Sequence, residues 1–167
     1  MAGKNYIKAL WLPVTVLIIS LYSCNPASQY EKEEASQIQD FLSKNPGLHF
    51  DLKPSGLYYY DVSVGTGITP VAHDSAYVMY TATFLDGTVI DTNVGTTDTL
   101  ITAVGEGWLI PGFDEGLTYM KEGGTALLLL PSSLAYGPTG YYTIPGYTPL
   151  LFELSLSRVV QSTGTGK

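Results

Sequence analysis

Two periodicities divide the chain. Between residues 30 and 47 (YEKEEASQIQDFLSKNPG) the apolar positions Ala35, Ile38, Phe41 and Leu42 recur at helical spacing among charged neighbours, and Asn45-Pro46-Gly47 stops the run. From about Lys53 the period becomes two. GLYYYDVSVG (56–65) reads as a strand closed by the turn GTG (65–67), and DSAYVMYTATFL (74–85) as a longer one with Ala76, Val78, Tyr80, Ala82 and Phe84 on one face. Asp86-Gly87 is a tight-hairpin signal that returns the chain through Val89 and Ile90 to Asp91. TLITAVG (99–105), TALLLLP (125–131) and PLLFELSLSRVV (149–160) complete the strands. Among them, IPGFDEGLTYMKEGG (110–124) predicts a helix. Pro111 suits its entry, Asp114 and Glu115 sit where the helix dipole favours anions, and Gly123-Gly124 ends it. Phe113, Leu117 and Met120 form its apolar face. Gly116 costs that helix about 1 kcal/mol, so it depends on packing.

The pattern predicts an α+β fold: an antiparallel half-barrel sheet of five to six strands wrapped around one short helix. One stretch does not fit a simple connection. Residues 131–149 (PSSLAYGPTGYYTIPGYTP) are uncharged and dense in Pro, Gly and Tyr, where about two to five polar residues would join two strands. Such a loop is costly to leave in water, so something apolar is expected to dock against it.

Composition narrows the class. With 45% hydrophobic and 14% charged residues among 167, the chain is globular rather than disordered. A net charge of −7 argues against nucleic acid as a partner. At the N-terminus, Lys4 and Lys8 precede the apolar run ALWLPVTVLIISLY (9–22), too short to cross a bilayer comfortably. It ends in LYSC, which is similar to a bacterial lipobox and implies cleavage before Cys24 and lipidation of that residue; a short uncleaved anchor is the alternative. Cys24 is the only cysteine, so no disulfide forms within the chain. The expected organisation is a signal peptide (1–23), a lipidated tether and charged helix (24–52), a folded domain (53–160) and a flexible tail (161–167). The charged helix reads as a spacer lifting the domain off the membrane, or alternatively as a docking or dimerisation helix.

Four motifs in order, YTATFLDGTVIDT, GEGWLIPGFDEGLTYMKEGG, LPSSLAYGPTG and IPGYTPLLFELSL, make residues 56–160 resemble the FKBP family of peptidyl-prolyl cis–trans isomerases. The resemblance implies strands curled around one helix and an apolar aromatic pocket, with no nucleophile, metal or cofactor. His49 and His73 stand apart from every motif. By position, it places Tyr80, Phe113 and Phe152 as walls and floor around a prolyl ring, with Ile90, Leu100, Leu109 and Ile110 lining it. Tyr136 matches the hydroxyl that hydrogen-bonds the substrate carbonyl, the Ile110 amide is a second donor, and Asp91 matches the pocket carboxylate. Tyr80, Asp91 and Tyr136 are thus the catalytic candidates, and Tyr141 and Ile144 line the long loop as a lid. Taken singly, the aromatic residues at strand period read as core by default, and Asp91 reads alternatively as a turn cap beside Asn93.

The sequence also departs from the family pattern. Phe113 stands where tryptophan is usual, and Ile90 and Leu100 where phenylalanine is, which implies a shallower and less aromatic hollow. The carboxylate usually has an arginine neighbour, yet no Lys or Arg occurs between Lys53 and Lys121. Asp91 is therefore expected to be buried without a cation and to take its hydrogen bond from a hydroxyl, that of Tyr80. The implied function is a prolyl isomerase assisting the folding of exported proteins, lipid-anchored in a bacterial envelope on a periplasmic or surface face. Its implied partners are proline-containing polypeptides, with the lipid as its membrane contact; the oligomeric state is open. A non-catalytic proline-recognising binding or chaperone module is the alternative, and the 13 tyrosines leave glycan binding as a third class.

Overall fold

The computed structural model describes residues 26–163. The expected signal peptide, Cys24 and residues 164–167 of the expected tail lie outside the described residues. The elements in chain order are α1 (Pro26–Lys44), β1 (Asp51–Leu52), β2 (Tyr58–Ser63), β3 (Ser75–Phe84), β4 (Val89–Thr92), β5 (Leu100–Ala103), α2 (Pro111–Leu117), β6 (Thr125–Leu130) and β7 (Leu150–Val160). All strand pairs are antiparallel, in the order β1-β2-β6-β7-β3-β4, and β5 follows β4 along the same edge of β3.

The α+β sheet over a short helix is as expected, with seven strands rather than five to six. The additional one is β1, two exposed residues paired to Tyr58 and Tyr59. A strand this short carries no periodicity. It also puts the first pairing of the sheet inside the segment expected to end at residue 52.

The period-two reading of β3 holds because its inward face is core. Ala76, Val78 and Ala82 are buried, while Tyr80 and Phe84 pack against them half-buried. β3 pairs with β7 along its whole length, from Ser75 opposite Val160 to Phe84 opposite Leu150. At the hairpin, Gly87 takes φ 89° and the Asp86 carboxylate accepts the Thr88 amide at 2.8 Å, the backbone freedom and side-chain turn that Asp-Gly offers. β6 and β7 pair up to Leu130 opposite Leu150, so the long loop 131–149 leaves and re-enters the sheet through one closed neck.

The helix α2 rides on β6 at very short range. A Cβ at Gly112 would lie 1.8 Å from Leu130 Cδ2, and one at Gly116 would lie 2.3 Å from Leu128 Cδ1. Gly116 therefore sits in mid-helix because nothing larger fits. The helix ends at Leu117, earlier than the predicted 110–124. Met120 is still buried, so the apolar spacing reported burial correctly but not conformation. The segment past the helix is held by other backbone: Glu122 N–H donates to Ile68 O (2.9 Å), Gly67 N–H to Glu122 O (3.0 Å) and Gly123 N–H to Leu156 O (2.7 Å). The amides of Thr118, Tyr119 and Met120 already reach back only three residues (3.0, 3.1 and 3.2 Å), and the groups at Glu122 and Gly123 are committed to the loop at Gly67 and Ile68 and to β7, so neither continues the helix.

The charged helix differs from expectation in extent, and in placement it follows the docking alternative and not the spacer. It starts at Pro26, so residues read as tether are helical. It also lies against the domain instead of standing off as a spacer. Ile38 and Glu34 are buried, and the Tyr30 ring stacks on Tyr147 at 5.4 Å. Among the described residues, no helix is long and apolar enough to cross a membrane.

Candidate active site

A hollow of about 290 Å³ opens where β3, β4, β5, β7 and the start of α2 meet the long loop. Its floor is an aromatic triangle. The Phe113 ring meets Tyr80 edge-on at 5.8 Å and Phe152 edge-on at 5.6 Å, and Tyr80 and Phe152 lie 6.5 Å apart. Edge-to-face contacts of this kind fix ring orientation beyond simple burial. Phe113 and Phe152 are buried, and Tyr80 is half-buried. Ile90 and Leu100 form one wall and Leu109 and Ile110 another, all half-buried. Tyr136, Tyr141 and Ile144 close the loop side. All eleven residues expected at the pocket thus line one cavity. The structure adds Ala82, Trp108 and Leu150. Ala82 and Leu150 were legible as inward strand positions. Trp108 is 71% exposed at the rim, and its signal was a large aromatic between glycines and a proline.

Polar groups are few and all at the edge. The Tyr80 hydroxyl donates to Asp91 Oδ2 at 2.6 Å, as the absence of a cation in this stretch predicts. Asp91 is exposed rather than buried, because β4 is an edge strand and its carboxylate looks toward water. A solvated carboxylate needs no ion pair. Burial, then the Asp91 hydrogen bond and charge, push the Tyr80 phenol up to about 12. Tyr136 is raised as well, by burial first and then by its neighbours Tyr141 and Asp91. Both phenols therefore keep their protons at neutral pH.

The Tyr136 ring stacks on Tyr141 at 5.1 Å, and Tyr141 in turn meets Tyr142 edge-on at 4.6 Å. Among the described residues the Tyr136 hydroxyl makes no hydrogen bond, so its proton is available to an incoming carbonyl. The Ile110 carbonyl accepts the Phe113 and Asp114 amides (3.1 and 3.2 Å), closing the first turn of α2 at the cavity wall. The Asp114 carboxylate accepts the amides of Gly105 (2.8 Å) and Gly107 (3.3 Å), which fixes the approach to Trp108 and Leu109.

The loop over the hollow is folded on itself. Tyr141 and Ile144 exchange two backbone hydrogen bonds (2.9 and 2.8 Å), and Tyr147 N–H reaches back to Gly137 O (3.0 Å). Gly140 and Gly146 lie where a Cβ would collide with Ile144 O and Pro138 O. A compact loop satisfies its backbone internally and needs no charge. Its buried Ile144 is the apolar group directed at the hollow. A larger groove of about 600 Å³ lies between α1 and the β3–β4 hairpin, with Asp40, Lys44 and Asp86 on its walls and no comparable aromatic floor. His73 contacts Glu106 and His49 is exposed; neither lines the hollow.

An apolar hollow with an aromatic floor and phenol hydroxyls at its rim, set in a sheet curled over a short helix, marks the class of fold to which the chain is similar. The chain belongs to the FKBP-type peptidyl-prolyl cis-trans isomerase family, which its residues 67–157 match. It is 34% identical over 128 residues to the peptidyl-prolyl cis-trans isomerase Mip of Chlamydia pneumoniae, covering 75% of this chain and 48% of that protein. It is 37% identical over 110 residues to the outer membrane protein MIP of Legionella longbeachae, covering 64% and 46%. The solved peptidyl-prolyl cis-trans isomerase of Pseudomonas syringae pv. tomato superposes with a TM-score of 0.69 at 28% identity, over 81% of this chain and 97% of that one. The match spans about half the length of each of these two curated relatives.

Proposed function

We propose that this chain is a peptidyl-prolyl cis–trans isomerase acting on exported polypeptides. The observation that carries the reading is the Tyr80–Phe113–Phe152 triangle with the unengaged Tyr136 hydroxyl at its rim. Rotation about an X–Pro bond is opposed by amide resonance, with a barrier of about 20 kcal/mol. Twisting removes that resonance and makes the amide less dipolar. A water-poor aromatic surround therefore disfavours the planar ground state more than the twisted one. On this reading the prolyl ring rests on Phe113, between Tyr80 and Phe152. Tyr136, and the Ile110 amide as second donor, hold the substrate carbonyl while the bond turns. Asp91 orients the Tyr80 ring through its hydroxyl, and Ile90, Leu100, Leu109, Tyr141 and Ile144 keep water out.

The same proposal puts the protein in a bacterial envelope, held to a membrane by lipid on Cys24. The LYSC motif supports this, and one relative is named as an outer membrane protein. Metabolic labelling with radioactive palmitate tests it: the wild-type chain is expected to be labelled and Cys24→Ala is not. Labelling of neither overturns the anchor.

A proline-limited refolding assay separates the enzyme from a module that only binds. Catalytic amounts of the chain are expected to speed the slow refolding phase. Saturable binding of the unfolded protein with an unchanged phase would replace the isomerase reading by that of a holdase.

A further inference from the structure

The helix α1 touches the domain at points that bear on the loop over the hollow. Glu34 is buried, with a relative exposure of 8%, and among the described residues it forms no salt bridge. Its carboxylate instead accepts the Ser132 amide and, at 2.9 Å, the Ser132 hydroxyl, across 98 residues of sequence. Ser132 opens a single 3-10 turn (Ser132–Leu134) directly ahead of Tyr136. The residue before that turn is Pro131, which makes no side-chain cap hydrogen bond. The orphan donor of the turn is thus satisfied from α1 and from nowhere nearer. The Ser132 carbonyl then accepts the Ala135 and Gly137 amides (2.9 and 2.8 Å), so the carboxylate holds the residue about which the chain turns to present Tyr136.

One helical turn before Glu34, Tyr30 stacks on Tyr147 near the other end of the same loop, at an interplanar angle of 16°. Tyr147 adopts a φ of 57°, which a non-glycine residue holds only when its surroundings enforce it. Its amide bonds to Gly137 O, tying the returning limb of the loop to the departing one. Tyr30 and Glu34 stand four residues apart, on one face of α1, and contact the two limbs separately.

We propose that α1 is a brace for the loop over the hollow, and that Glu34 is a positioning residue for prolyl turnover acting through Ser132. The turnover part rests on the isomerase reading given above; the brace does not. Glutamine at position 34 keeps a carbonyl oxygen for the Ser132 amide and offers an N–H to the Ser132 hydroxyl, so it should preserve the brace. Alanine leaves both donors unpaired.

The test uses the full chain with Glu34→Ala, Glu34→Gln and Tyr30→Ala. Amide hydrogen exchange reads the loop at Gly137, Ile144 and Tyr147, with the β3 and β7 amides as a control for global unfolding. Affinity and turnover are read on a tetrapeptide with a central X–Pro bond. With Glu34→Ala, loop exchange is expected to rise about tenfold or more at unchanged sheet exchange, which is the order expected for loss of a hydrogen bond to a charged group. Peptide affinity and kcat/KM fall with it, Glu34→Gln restores them, and Tyr30→Ala loosens Tyr147 most. Unchanged loop exchange in Glu34→Ala overturns the brace. A loosened loop with wild-type affinity and turnover overturns the positioning role. If the wild type binds the peptide without speeding its isomerisation, the isomerase reading and the turnover role fall together, and loop exchange still decides the brace.

Discussion

Replacing Gly116 by alanine sets two calculable effects against each other. Alanine is favoured over glycine in a helix by about 1 kcal/mol, so propensity alone predicts stabilisation. Against that, the new Cβ would lie 2.3 Å from Leu128 Cδ1 and 2.9 Å from Cδ2. Leu128 is fully buried, so it can yield only by moving against packed neighbours. Overpacking of this kind costs about 1–3 kcal/mol, so packing should win by about 1 kcal/mol or somewhat more. With a urea m-value of about 1–2 kcal/mol/M for a domain of this size, the midpoint should fall by about 0.5–1 M. The assay is urea denaturation followed by far-UV circular dichroism. Gly47→Ala serves as a neutral control, since no atom lies within 4 Å of a Cβ there and its φ is not positive. The helix should shift to relieve the overlap and carry Phe113 with it, so turnover should fall as well. A midpoint that rises above wild type would refute the claim that α2 sits in contact with β6 with no room to spare.

Two further outcomes are expected. Tyr136→Phe should lower kcat/KM about tenfold, the worth of one hydrogen bond of about 1–1.5 kcal/mol, with an unchanged urea midpoint; equal activity would remove the hydroxyl from the mechanism. Acid should destabilise the fold partly through Asp74, whose carboxyl is held below its ordinary 3.8 by the Val71 and then the Ser162 amide, with burial opposing and His73 assisting. A depressed carboxyl stabilises above its unfolded pKa and loses that contribution as pH falls through the folded one. Denaturation midpoints measured from pH 5 to pH 2 should therefore drop less in Asp74→Asn than in wild type, and parallel curves would contradict the assignment.

The particular residues show what a sequence makes legible here. The inward face of β3 was readable because alternation is imposed by the pleat and rewarded by burial at Ala76, Val78 and Ala82. The hollow was readable only through ordered motifs, since Tyr80, Phe113 and Phe152 are individually indistinguishable from core. The absence of any Lys or Arg between Lys53 and Lys121 carried the Tyr80–Asp91 hydrogen bond, although not the exposure of Asp91, which depends on β4 being an edge. What escaped was long-range. The segment after α2 is held by backbone partners at Gly67, Ile68 and Leu156, far off in sequence. The docking of α1 involves Ile38, Tyr30 and Glu34, and Glu34 looks like any other charge of a solvated helix face until Ser132 is brought beside it.

The most direct measurement is two-dimensional NMR exchange spectroscopy of an X–Pro tetrapeptide with a small molar fraction of the chain. The uncatalysed peptide interconverts over tens of seconds and gives no cis–trans cross-peaks on the timescale of the experiment. Cross-peaks that appear on addition of the chain, and vanish when excess competing prolyl peptide fills the hollow, are the predicted result. Interconversion that stays at the uncatalysed rate, with the hollow demonstrably occupied, would contradict the account.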